Sequence, residues 1–207
     1  EHQEAVIFQK LYKNKKSVKN TTEEANMKKL ILVVFSLLLI TCGCDSMMNT
    51  PTKRVEEFLN KYQRLDSDVL TQLDEVIKNA TYTFNDTQST SYKELMKKQY
   101  KDLTYTIKEE LIDGNNATVT VEIEVYDYNK AINDAETYYK NNPNEFKNSD
   151  GGIDEEKYMD YKIKKMEAVK DKIKYTLNLT LTKKDKKWVL NDISESDRQK
   201  LHGLYNS

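Results

Sequence analysis

Cysteine occurs only at Cys42 and Cys44 in this 207-residue chain, so no disulfide framework or thiol chemistry is available C-terminal to position 44. Glycine and proline are almost as scarce, with five and two residues, which argues for an ordered domain and against linkers or low-complexity segments. Histidine is found only as His2 and His202. His202, beside Gly203 near the C-terminus, reads as a solvated tail residue. One peripheral histidine cannot build a Ser/His/Asp or Cys/His nucleophile system, nor the His/Cys sets that zinc sites require. No catalytic residue, metal site or cofactor is therefore assigned. The acidic group "DEE" (154–156) reads as helix N-terminal charge, not as a calcium loop, and "DSD" (66–68) as a helix N-cap. An excess of positive charge is missing too. Removing the seven lysines and four glutamates of residues 1–44 from the chain's 33 basic and 34 acidic residues leaves a net charge near −4. That balance offers no footprint for nucleic acid.

Long apolar runs are absent with one exception. Leu30 to Ile40 is apolar apart from Ser36. It is shorter than the roughly 20 residues of a membrane span but fits the h-region of an export signal, with Met27-Lys28-Lys29 as its positive n-region. Thr41-Cys42-Gly43-Cys44 follows directly. A cysteine at this place resembles the lipobox of bacterial lipoproteins, and the resemblance implies alkylation of the thiol with diacylglycerol and cleavage just before it. Cys44, preceded by the small Gly43, is the expected anchor; Cys42, with Leu39 three places before it but the bulkier Thr41 at the cleavage position, is the alternative. The expected location is the extracytoplasmic face of a bacterial membrane. Residues 45–50 would form a short tether.

Residues 1–26 precede this signal and lack methionine. Glu23-Glu24-Ala25 can be encoded by GAG-GAG-GCN, which contains the ribosome-binding sequence AGGAGG, so 1–26 are read as upstream translation and 27–44 as the signal peptide and lipobox.

From residue 51 onward the hydrophobic period changes from helical to extended. Val55, Phe58, Leu59 and Tyr62 form one helical stripe, and Val69, Leu70, Leu73, Val76 and Ile77 a second. A third helix is expected over 91–101, after a loop or short strand in "TYTFNDTQST". Leu103, Tyr105 and Ile107 then alternate with polar residues. "DGNN" (113–116) supplies a turn, and Ala117, Val119, Val121, Ile123 and Val125 line one strand face. Ile173, Tyr175, Leu177, Leu179 and Leu181 alternate likewise, "KKDKK" (183–187) turns the chain, and Trp188 to Ile193 returns. Between these hairpins, 128–170 reads as a helical insertion: one helix over 128–140, an exposed loop, and another over 153–170. The expected fold is α+β, with N-terminal helices packed on a curved antiparallel sheet of about four strands. Ser194 and Gly203 bound a last short helix.

Three stretches carry a further resemblance: "PTKRVEEFLNKYQRLD" (51–66), "LIDGNNATVTVEIEVYD" (111–127) and "YTLNLTLTKKDKKWVLNDI" (175–193). In sequence they resemble the nuclear transport factor 2-like (cystatin-like cone) domains of bacterial lipoproteins, from which the insertion at 128–170 departs. The resemblance implies a sheet that closes with helices around a pocket, and Tyr62, Tyr105, Tyr175 and Trp188 are the candidate lining residues. The expected function is a lipid-anchored binding or interaction module, with a small ligand or protein partner besides the membrane. The alternative is an enzyme of that fold using a buried carboxylate or tyrosine. The tyrosines of the insertion, Tyr138, Tyr139, Tyr158 and Tyr161, mark it as a candidate partner-facing element; the alternative is that its two helices pack together and cap the open end of the cone.

Overall fold

The computed structural model describes residues 49–80 and 84–206. Cys42, Cys44 and the apolar run lie outside the described residues.

Helix α1 (Pro51–Arg64) starts on the Thr50 side chain, which accepts a hydrogen bond from Lys53 N, with Pro51 in the first turn where its missing N–H costs nothing. It ends at Leu65, which is left-handed at φ 55°. Helix α2 (Ser67–Lys78) follows Asp66. The Asp66 carboxylate does not cap the helix; it accepts from Arg64 at 3.2 and 3.0 Å. Val69 and Leu73 of α2 are buried, but Val76, expected in the same stripe, is exposed.

Helix α3 (Asp86–Lys101) begins five residues earlier than its hydrophobic stripe, so 86–90 is helix where a loop or short strand was expected. The cause is a capping box: Gln88 N donates to Asn85 Oδ1, and Asn85 N donates to Gln88 Oε1. Strand β1 (Thr104–Asp113) and strand β2 (Asn116–Tyr126) are joined by a two-residue loop in which Gly114 takes φ 57°. A bulge between Ile107 and Glu109 breaks the period of β1. Tyr105 and Ile107 face inward opposite Ile123 and Val121, but beyond the bulge Glu110 and Ile112 take that face, not Glu109 and Leu111.

The insertion comprises α4 (Tyr128–Asn141), a 3-10 turn (Pro143–Phe146) and α5 (Glu155–Glu167). Strand β3 (Lys172–Lys184) pairs with the whole length of β2, from Asn116↔Thr182 to Tyr126↔Lys172. The insertion therefore leaves and re-enters the sheet at neighbouring points, where Asp127 N donates to Asp171 O. Strand β4 (Lys187–Leu190) completes an antiparallel sheet of order β1-β2-β3-β4. Helix α6 (Glu195–His202) has Ser194 as N-cap and stops at Gly203, φ 69°. The fold is α+β, with the helices packed on one face of the four-stranded sheet, as the periodicities imply.

Two apolar layers meet on that face. Val119, Val121, Ile123, Leu177, Leu179 and Leu181 are buried with Val55, Leu59 and Leu201, and α1 packs against β1, β2 and β4. A second cluster joins Tyr62, Leu95, Met96 and Tyr100 to Tyr128, Ala131, Ile163 and Met166 of the insertion. The insertion is thus built into the core. Its expected loop is not wholly exposed either, because Phe146 is buried and takes edge contacts from Tyr138, Tyr139, Tyr158 and Tyr161. The four tyrosines pack around one phenylalanine, and this accounts for their number without a partner.

Two buried glutamines fasten the layers. The Gln99 amide donates to Tyr126 O and accepts from Tyr126 N, pairing the end of β2 beyond the reach of β1. Gln88 Nε2 donates to Glu156 O and Asp160 Oδ1, tying α3 to α5. A buried amide left without such partners would cost about 1–3 kcal/mol.

Candidate functional site

The four aromatics expected to share a pocket are spread across the domain. Tyr62 is buried on α1, edge-on to Phe58 and Tyr100 at 5.2 and 5.0 Å. Tyr105 and Tyr175 are half-buried on the same sheet face, but Ile123 stands between them in the register. Their side chains are thus about two strand spacings, about 10 Å, apart. The Tyr105 hydroxyl donates to Asn60 Oδ1, and that of Tyr175 to Tyr205 O. Trp188 is buried opposite Lys183. Lys183 lies eight positions along β3 from Tyr175, roughly 26 Å at the rise of a strand. Alternation assigns residues to a face, not to a position along it, and so it could not reveal this separation.

His202 is not a solvated tail residue. It occupies the last turn of α6, half-buried, with Nε2 3.1 Å from the Tyr100 hydroxyl. Burial, assisted by the nearby Arg198 cation, pushes its pKa down to about 4. Burial pushes Tyr62 up to about 12, slightly opposed by Arg198, and holds Tyr100 well above the ordinary phenol range. At neutral pH the group is therefore two phenols and a neutral imidazole. Phenols shifted this way are weaker acids than tyrosine in water and keep their protons. Apart from aromatic side chains, the buried polar side chains among the described residues are Gln88 and Gln99; none is a carboxylate.

A cleft of about 250 Å³ opens where the insertion leaves and rejoins the sheet. Its charged lining alternates in sign, with Asp127, Asp134 and Asp171 against Lys130, Lys165 and Lys170. Such a lining has no net preference for an anion or a cation. Among the described residues, no group of three or more His, Cys, Asp or Glu is arranged to hold a metal ion.

The better-defined polar construction lies where the chain enters the domain. Asn49 Nδ2 donates to Lys186 O at 2.7 Å, and Trp188 N donates to Asn49 Oδ1 at 3.0 Å. The side-chain amide thereby pairs with the outer edge of β4 as a peptide unit would. Thr52 donates from both N and Oγ1 to the Glu110 carboxylate. Asn49 and Thr50, expected in the tether, belong to the domain, which leaves residues 45–48 between it and Cys44. Nothing in the pattern of apolar residues marks Asn49; a polar residue before a helix start reads only as solvated chain. No family model, curated protein or solved structure matches this chain.

Proposed function

We propose that the chain is a bacterial lipoprotein, anchored through diacylglyceryl Cys44 on the extracytoplasmic face of the membrane, whose α+β domain serves as a binding or interaction module. The observation that carries this reading is the order of elements: a charged n-region, a short apolar run and Gly43-Cys44, with a residue hydrogen-bonded into the domain only five positions later. Among the described residues no helix is long and apolar enough to cross a membrane. Attachment of the domain at the membrane then falls to the segment before Asn49. One acyl chain binds a bilayer only marginally, while two or more hold stably, at about 0.8 kcal/mol per buried methylene. The α+β sheet with helices on one face suits a cone-like domain, and the core position of 128–170 makes the insertion a structural cap.

The enzyme reading would rest on the Tyr100–His202 pair, in which two titratable side chains meet within hydrogen-bonding distance in the fold's interior. Its groups are shifted away from acid–base work at neutral pH, and the described cleft is lined by other residues. The interaction module is therefore the preferred reading. Labelling with radioactive palmitate tests the anchor: the wild-type chain takes up label, and Cys44→Ala does not. Undiminished label in Cys44→Ala would move the anchor to Cys42, and absence of label from the wild type would overturn the proposal.

A further inference from the structure

The end of the sheet nearest the chain's entry carries two hairpin tips side by side. Asp113↔Asn116 closes one and Lys184↔Lys187 the other, and Lys183 N donates to Asn115 O between them. Asn49 is bonded to the second tip, and the α1 residue Thr52 to Glu110 just behind the first. The tips and the entry point thus form one pole of the domain.

The chemistry of this pole differs from that of the remaining surface. Leu111 and Ile112 are 57% and 55% exposed, two of only four large hydrophobic side chains exposed among the described residues. As consecutive strand residues they point to opposite faces of β1, opposite Thr118 and Ala117, so that both rim the tip. Residues 183–187 are all exposed and read Lys-Lys-Asp-Lys-Lys. Within the two tips, residues 111–116 and 183–187, four lysines (Lys183, Lys184, Lys186 and Lys187) stand with two acids, Asp113 and Asp185, while the domain as a whole is acidic. Projecting apolar side chains beside a cluster of lysines are what a surface needs to settle on a bilayer with anionic headgroups.

The length of chain outside the described residues points to the same occupant. From Cys44 to Asn49 is five residue steps, which span at most about 18 Å fully extended. A lipid on Cys44 therefore holds Asn49, and the pole to which it is bonded, within about two Debye lengths of the headgroups at physiological salt.

We infer that this pole, through Leu111, Ile112 and the lysines of the 183–187 turn, docks on the anionic lipid surface in which the chain is anchored. The domain then stands with its tips on the membrane and the 128–170 insertion directed away from it. This orientation rests on the lipoprotein reading above; the affinity of the pole for anionic lipid does not.

Hydrogen exchange on the full chain in vesicles provides the test. Neutral phosphatidylcholine is compared with a mixture containing phosphatidylglycerol, and the mass of the N-terminal peptide is measured in the same sample. Amides of 111–116 and 183–187 are expected to slow at least about fivefold in the anionic vesicles only, while 145–152 stay unchanged. The protection should fade as salt rises. The exposed-site variants Lys183→Gln/Lys184→Gln/Lys186→Gln and Leu111→Ser/Ile112→Ser should each lose it; the salt series on the wild type keeps the result decisive if either variant misfolds. Equal exchange in both vesicle types overturns the docking, and so does protection that appears only when membrane proteins are added, which would make the pole a protein contact. An N-terminal peptide without lipid alongside anionic protection overturns the lipoprotein reading alone. Lipid without protection overturns the docking alone.

Discussion

Replacing Gly203 with alanine probes the joint on which the C-terminal helix depends. Gly203 ends α6 at φ 69°, a left-handed conformation that costs a residue with a Cβ about 1–2 kcal/mol. A Cβ built there falls 2.0 Å from Tyr126 O and 2.4 Å from Gln99 Nε2. Neither neighbour can move cheaply. The Tyr126 carbonyl belongs to a strand paired with β3, and the Gln99 amide is fully buried and bonded to both Tyr126 N and O. Relief requires α6 to lift or the Gln99 pair to break, which forfeits one or two buried hydrogen bonds at about 1 kcal/mol each and leaves polar groups unmatched. The sum is about 3–5 kcal/mol. Urea unfolding followed by circular dichroism should show the midpoint fall with an unchanged slope. In a double-mutant cycle with Gln99→Ala, the two losses should be less than additive, because removing the amide removes part of the clash. A Gly203→Ala loss below about 1 kcal/mol, or strict additivity in the cycle, would refute this account of the joint.

Three further outcomes follow from named contacts. His202 is neutral in the fold with a pKa of about 4 and titrates near 6.5 when unfolded. The unfolded chain therefore binds the extra proton first, and stability should be full above pH 6.5 and decline between 6.5 and 4, by at most about 3 kcal/mol; His202→Gln should flatten that part of a pH–stability profile, and an unchanged slope would contradict the assignment. Asp185 and Lys186 both take positive φ, 48° and 65°, in a two-residue hairpin loop that favours Asn-Gly. Asp185→Asn with Lys186→Gly should therefore raise the unfolding free energy by about 1 kcal/mol, read as a higher urea midpoint at unchanged slope, and a fall would show the turn to be unstrained. Deleting 128–170 and joining β2 to β3 by a short turn should abolish cooperative unfolding, since Tyr128, Ala131, Ile163 and Met166 would be stripped from the cluster around Tyr62 and Tyr100. A folded, cooperative deletion variant would return the insertion to the role of a detachable partner-facing element.

Much of the fold was legible because burial on one face imposes a period. Val119 to Val125 and Leu177 to Leu181 alternate strictly, and both hairpins lie where the turn residues stand. Features set by polar pairing left no such trace. The early start of α3 depends on Asn85 and Gln88, an Asn-x-x-Gln capping box outside the apolar stripe. Gln88 and Gln99 look like surface residues until their backbone partners are seen. The bulge at Lys108 inverts the faces of the last β1 residues without disturbing the apolar composition of the strand. Alternation places Tyr105, Tyr175 and Trp188 on strands, but their separation depends on register between strands distant in sequence, and the position of His202 near the end of the chain does not reveal the helix that folds it back onto Tyr100.

The lipid anchor stands beneath both the proposed function and the orientation of the domain, and the mass of the N-terminal peptide of the mature, membrane-extracted protein tests it most directly. The expected result is a peptide beginning at Cys44 and carrying a thioether-linked diacylglyceryl group. A peptide that reads through Gly43-Cys44 with a free thiol would contradict it.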